Sequence, residues 1–263
     1  MAVTAVLVPA PQHTLCPMTT FALVHGAGET AATWRDVQAA LSIPSVAVDL
    51  LGRGSHPADL ATLTLEKAVD CAARDFEAST SGDLIVVAHS IGGALSPGLI
   101  ARLGTRVVHL VHVVAVAAPE GDVPLEVVSD QFVDLLTKDA IALRAAVSGS
   151  SFASSVDERL PDGLAPMTDR PTLSRVDSTA FGLVPTTWRG VRASLPRTYV
   201  QTMRDGLYPQ DAQVRLAAAL RATAVLELDS GHNPSFSAPE ALASLLNSIA
   251  LAHSAADGLD EPT

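Results

Sequence analysis

The chain has 263 residues, 48 % of them hydrophobic, with 17 Gly and 17 Pro, a composition that can bury a sizeable core and that excludes disordered or collagen-like chains. Its 17 basic and 28 acidic residues leave a net charge of −11. No Lys/Arg cluster is present to neutralise a phosphate backbone, and the negative field repels polyanions and anionic lipid.

Nucleic acid and membrane are therefore not expected partners, and a neutral small molecule fits better. Self-association as a homodimer is left open. Residues 1–17 lack the basic start and unbroken apolar run of a secretory signal and carry Pro9, Pro11 and Pro17. They read as an N-terminal extension outside the core, with Met18, directly before a strand-like run, as the expected start. From there short β-branched runs alternate with amphipathic stretches, the pattern of an α/β domain whose mostly parallel central sheet is flanked by helices. Strands are expected at 21–24, 45–49, 84–88, 107–116, 198–202 and 224–228. Helices are expected at 31–41, 65–77, 92–103, 212–222 and 239–253.

The last helix is marked by Ser237 and, three residues on, Glu240, a capping-box spacing. The interval 120–196 is far longer than a plain crossover needs and reads as a cap inserted between two late strands. Within it, 124–147 has helical spacing of Val127, Val128, Phe132, Leu135 and Leu136, 149–169 reads as loop, and 183–191 as a shorter structured piece. The core is thus assigned to 18–119 and 197–254, and 255–263 to a flexible tail. The apolar stretch 107–119 contains His109 and His112 and falls short of the roughly 18–20 residues of a membrane span. Two cysteines, Cys16 and Cys71, are too few for a disulfide framework, which points to a reducing, cytoplasmic setting.

The strongest chemical signal is Val87-Ala88-His89-Ser90-Ile91-Gly92-Gly93, after an apolar strand and before a helical stretch. A Ser on such a strand-to-helix turn has its Oγ pushed out at the carboxyl end of the sheet, and the small Ala88 and Gly92 let the turn close. Upstream, His25-Gly26-Ala27-Gly28 follows the first strand, where backbone amides can face a developing oxyanion. The amides of Ala27 and Ile91 are the expected donors, with His25, Gly26, His89 and Gly92 in support. His25 reads as a brace for its loop, and His89 as facing away from the nucleophile by strand alternation. A dinucleotide-binding reading of Gly26-Ala27-Gly28-Glu29-Thr30-Ala31 is poor, because Ala stands at the third glycine position.

Of eight histidines, His232, in Asp229-Ser230-Gly231-His232-Asn233-Pro234 after the terminal strand, is placed to serve as the base of Ser90. His109 and His112 lie inside an apolar strand and read as structural. Asp205, at the lip of the preceding strand, is the expected carboxylate that orients His232, and Asp122 is the second choice. No metal or organic cofactor is expected, since no His/Cys/Asp cluster stands at ligand spacing.

Together, 21–28 with Trp34, 49–55, 87–93, 199–205 with Pro209 and Gln213, and 231–234 resemble the α/β-hydrolase superfamily, in particular its branch of small esterases, plant methyl-ester hydrolases and hydroxynitrile lyases. Ala88 departs from the Gly usual in that branch. The resemblance implies a cap, a triad in the order Ser, Asp, His, and hydrolysis of a small ester or lactone through an acyl-enzyme on Ser90. A small-molecule receptor, a lyase or a thioesterase remain alternatives on the same fold. In the lyases of this branch a Thr follows the oxyanion-loop His and a Lys follows the catalytic His, where this chain has Gly26 and Asn233.

Overall fold

In the computed structural model, residues 19–58, 63–128, 181–182 and 184–257 are described. The expected alternation produces six strands, β1 (Thr20–Val24), β2 (Ser45–Val48), β3 (Leu84–His89), β4 (Val107–Val113), β5 (Arg197–Thr202) and β6 (Ala224–Leu228), in one sheet of order β2-β1-β3-β4-β5-β6. All five pairings are parallel. The chain runs outward from β1 to β2, then returns past β1 to β3 and on towards β6. The direction of winding thus reverses between β1 and β3, and the crevice beyond their carboxyl ends is where open parallel sheets place ligands.

Alternation along each strand divides the core in two. Ala22, Val24, Val86, Ala88 and Leu110 face one layer, formed with α2 (Leu65–Ser79), α3 (Ser96–Leu103) and α5 (Gln210–Leu220). Phe21, Leu23, Ile85, Val87 and Val111 face the other, where Trp34, Val37 of α1 (Arg35–Ala40) and Leu242 and Leu246 of α7 (Pro239–Asp257) pack. Every residue of β1, β3 and β5 is buried, which is why β1 and β3 read as near-continuous apolar runs rather than as alternation, while β5 also buries the polar Arg197 and Gln201.

Three local expectations are corrected. β4 stops at Val113, not 116, because Val114 takes a left-handed φ of 42°, a conformation unusual for a β-branched residue that turns the chain out of the sheet. The expected first helix begins as a 3-10 turn, Ala31–Trp34. Ser237 does not cap the last helix: it ends a short helix of its own, α6 (Pro234–Ser237), and its hydroxyl donates to Asn233 O.

Between β4 and β5 the described parts include α4 (Pro124–Val128). The rest of the 124–147 helix and the 149–169 loop fall outside the described residues, as do residues 1–18, the 258–263 tail and Leu183. The two ends of the inserted segment are tied together by Gly121 N donating to Thr186 O and Thr186 N to Asp122 O, both at 2.9 Å. Residues 184–191 form bends and turns, with neither helix nor strand. Among the described residues no helix is long and apolar enough to cross a membrane.

Candidate active site

Register places Val24 beside Ala88, so the loops leaving β1 and β3 meet at the winding reversal. β3 passes directly into a 3-10 turn, Ser90–Leu95, and Ser90 is held at a φ of 51°. A non-glycine residue in that region is strained, and such strain collects at functional sites. The turn closes only because its glycines are bare: a Cβ on Gly92 would stand 2.6 Å from His25 O, and one on Gly93 2.3 Å from Val116 O.

Ser90 Oγ lies 2.9 Å from His232 Nε2, and His232 Nδ1 lies 2.8 Å from Asp205 Oδ2. Only 5 % of Ser90 and 5 % of His232 is exposed. The Asp205 carboxylate also accepts Thr202 Oγ1 on Oδ2 at 2.8 Å, and the amides of Leu207 and Tyr208 on Oδ1 at 2.7 and 2.9 Å. Burial acts to raise its pKa, but the hydrogen bonds from His232, Tyr208 and Leu207 outweigh it and hold the group below the ordinary carboxylate range. An ionised Asp205 requires the proton of a neutral His232 to sit on Nδ1. That leaves Nε2 as an acceptor for the Ser90 hydroxyl.

The loop carrying Asp205 is fixed from behind by Gln213, fully buried on α5. Its Oε1 accepts Thr202 N at 2.9 Å, and its Nε2 donates to Thr202 O and Tyr208 O at 3.0 and 2.8 Å. Tyr208 in turn meets the His232 ring edge-on, with centroids 4.8 Å apart. Asp122, the second choice for the acid, is on an exposed turn of the inserted segment, and the carboxylate on His232 belongs to Asp205.

Both ring nitrogens of His25 are engaged by neighbouring backbone. Nδ1 donates to Gly26 O at 2.8 Å, and Nε2 accepts Leu50 N at 3.1 Å. Burial lowers its pKa, in keeping with the neutral tautomer those two bonds demand. Ile91 is buried next to Ser90, while Ala27 is exposed on the β1 turn. Gly26 lies against Ser90, since a Cβ there would be 3.0 Å from Ser90 Cβ.

The reading of His89 as turned away from the site is corrected. Its Nε2 lies 2.8 Å from His232 O, and its Nδ1 lies 3.2 Å from Glu29 Oε2. The Glu29 carboxylate also accepts Gly26 N at 2.8 Å. Both ring nitrogens of His89 therefore face oxygen atoms, an arrangement that favours the doubly protonated ring. Burial works against that charge, but the Glu29 carboxylate outweighs it and raises the His89 pKa, and His89 likewise overcomes burial to lower that of Glu29. The sequence reading passed over Glu29, Tyr208 and the role of Gln213. A carboxylate inside a glycine-rich loop was the one available cue.

His109 and His112 are structural, paired at 2.9 Å with Thr198 Oγ1 and Ser96 Oγ. Burial depresses them to about 4 and about 3. No His/Cys/Asp cluster stands at ligand spacing along the sequence, but the fold brings one ligand atom each of His56, Cys71 and Asp75 within 4.8 Å of one another.

The described architecture recurs in solved structures. A pyrethroid hydrolase from Sphingobium faniae is 21 % identical, with 88 % of this chain and 97 % of that one covered and a TM-score of 0.68. An extracellular alpha/beta-hydrolase from a Paenibacillus species, similar to a tobacco salicylic acid binding protein, is 17 % identical over 88 % and 98 %, with a TM-score of 0.70. A methylesterase protein from Arabidopsis is 19 % identical over 89 % and 99 %, with a TM-score of 0.61. No curated protein sequence matches significantly. The sequence model of the alpha/beta hydrolase family matches residues 21–245, which cover the sheet from the second residue of β1 onward and each of the residues brought together around Ser90, and the chain belongs to that family.

Proposed function

We propose that the protein is a serine hydrolase that cleaves a small neutral, mostly apolar ester or lactone through an acyl-enzyme on Ser90. The observation that carries this reading is the continuous relay from Ser90 Oγ through His232 to Asp205, with links of 2.9 and 2.8 Å. His232 Nε2 takes the hydroxyl proton as Oγ attacks the carbonyl carbon. Asp205 holds the ring in the required tautomer and stabilises the imidazolium that forms. The amides of Ala27 and Ile91 receive the oxyanion, and the alcohol leaves with the proton returned by His232. Water, deprotonated by the same imidazole, then releases the acid.

The inserted segment serves as the cap over this chemistry. Gly182 comes close enough that a Cβ would meet Ile91 Cδ1 at 2.4 Å and Leu125 Cγ at 2.6 Å, and Leu125, Val128 and Phe181 are buried nearby in the same apolar cluster. Such a surrounding favours an apolar acyl or alcohol group and agrees with a net charge that disfavours anionic substrates. Solved relatives of this fold named as a pyrethroid hydrolase and a methylesterase support ester chemistry. The test is a panel of p-nitrophenyl, methyl and lactone esters, run beside a fluorophosphonate probe. Turnover with labelling at Ser90 is the expected result. Saturable binding of these compounds with no turnover and no labelling would replace the hydrolase by a receptor.

A further inference from the structure

We propose that His56, Cys71 and Asp75 form a binding site for a borderline divalent metal ion of the zinc type. Cys71 and Asp75 are four residues apart on α2 and so project from the same helix face. His56 comes from the turn after β2, and its Nε2 reaches Asp75 Oδ2 at 2.6 Å. The three ligand atoms lie within 4.8 Å of one another. A tetrahedral zinc ion with bonds of about 2.0–2.3 Å asks for ligand separations of roughly 3.4–3.8 Å, so side-chain adjustments of about an ångström admit it.

The donor set selects the ion. One sulfur, one imidazole nitrogen and one carboxylate oxygen suit zinc and its neighbours, whereas calcium and magnesium take oxygen shells. Charge balances as well: a divalent cation, one thiolate and one carboxylate sum to neutrality beside a neutral imidazole. Binding forms three metal–ligand bonds, releases the Cys71 thiol proton to solvent and breaks the His56–Asp75 hydrogen bond, the proton leaving Nε2 to solvent while Nδ1 takes one up, so that the liganding imidazole stays neutral.

The surroundings hold the ligands and leave a way in. The turn carrying His56 is fixed by Gly52 N donating to His56 O and by His56 N donating to Arg53 O, both at 2.7 Å. Ser55, beside it, donates from N and Oγ to Asp49 Oδ2 at 2.8 and 3.0 Å. Cys71 is buried and outside any disulfide. The His56 and Asp75 side chains are 27 % and 32 % exposed, so solvent reaches the site from one side and can fill a fourth position. An ion there clips the loop of residues 49–56 to α2. That loop in turn supports the glycine-rich turn after β1, through Asp49 Oδ1, which accepts Ala31 N, and Leu50 N, which donates to His25.

The experiment uses the full chain, stripped with chelator and then equilibrated separately with zinc and with cobalt(II). One zinc is expected to be retained per chain, and the cobalt form is expected to show thiolate-to-cobalt charge transfer. Cys71→Ser should abolish that band. His56→Asn and Asp75→Asn should each weaken zinc binding by at least roughly tenfold, and Cys16→Ser should change neither property. Circular dichroism establishes that each variant is folded, and His56→Asn, at a partly exposed side chain, carries the test if Cys71→Ser does not fold. No retained zinc, a cobalt spectrum without thiolate character, a band that follows Cys16, or full affinity in His56→Asn would each overturn the proposal. None of these readouts involves Ser90, so the hydrolase assignment stands or falls separately.

Discussion

Glu29 Oε2 and His89 Nδ1 meet at 3.2 Å with side chains only 4 % and 3 % exposed, and the pair is wired at both ends, to Gly26 N and to His232 O. A buried ion pair contributes little net stability as such, but removing one partner strands the other. Glu29→Gln leaves the His89 ring without its counter-charge, so it reverts to the neutral form and can donate to only one of its two acceptors. We expect a loss of about 3–5 kcal/mol in denaturant unfolding, and a double change with His89→Gln that costs clearly less than the sum of the single changes. Strict additivity would show that the two groups do not act together.

The same pair gives a signed pH dependence. His89 is raised above its ordinary 6.5, so the folded state holds a proton that the unfolded chain gives up. Its contribution is complete below 6.5 and is lost as pH rises through the raised value. Glu29 is lowered from 4.5, so its contribution is present above 4.5 and is lost as pH falls through the lowered value. Stability measured against pH should therefore sag on the alkaline side of 6.5, and that sag should shrink in Glu29→Gln. An unchanged alkaline slope in the variant would count against a charged His89.

The relay predicts that Ser90→Ala and His232→Ala each lower ester turnover by several orders of magnitude, with no additive penalty when combined, because nucleophile and base act as one unit. Asp205→Asn should cost on the order of 10⁴ in kcat, since an amide favours the wrong tautomer of His232. Asp122→Asn, on an exposed turn, should be close to wild type. Steady-state kinetics of the four variants decide the matter, and an Asp122 effect larger than that of Asp205 would move the acid to the chain after β4.

Close packing at the nucleophile turn can be tested apart from chemistry. A Cβ at Gly93 would fall 2.3 Å from the Val116 carbonyl, a backbone atom that no side-chain rotation can move away. Gly93→Ala should therefore destabilise the fold by roughly 1–3 kcal/mol or more and lower activity through displacement of Ser90, whose own carbonyl accepts Val116 N at 3.0 Å. A melting temperature equal to that of the wild type would contradict the tightness of this turn.

How much of this was visible in the sequence depends on the range of the interaction. Period and turn chemistry are local, so all six strands were found, and Ser90 and His232 stood out because each follows a strand within a short recognisable run. The end of β4 is not legible because nothing in a β-branched Val114 announces a left-handed φ. Ser237 had the spacing of a capping box, but Pro234 started a helix one turn early. Glu29 and His89 are 60 residues apart, and His56 meets Asp75 of α2 from 19 residues away. Such pairs follow from how the sheet winds, and no spacing rule reports them.

The final prediction separates hydrolase from lyase chemistry. Cyanide leaving as an anion benefits from a fixed cation beside the base, whereas acyl transfer needs only amide donors and the His–Asp pair. The resemblance to the lyases would require Thr at Gly26 and Lys at Asn233. A Cβ at Gly26 would lie 2.8 Å from His89 Nδ1 and 3.0 Å from Ser90 Cβ, so a Thr could enter only by displacing the ring that supports His232. The Asn233 carbonyl accepts the amides of Phe236 and Ser237 at the start of α6, and its side chain is an uncharged amide. His89, whose pKa the Glu29 carboxylate raises, stands 5.3 Å from His232 between ring centroids, and its two nitrogens face the Glu29 carboxylate and the His232 carbonyl. We therefore expect hydrolysis of small neutral esters and no cleavage of mandelonitrile or acetone cyanohydrin above the buffer rate. Fast, Ser90-dependent cyanide release with simple esters left intact would overturn the hydrolase reading and require the missing cation to come from the inserted segment.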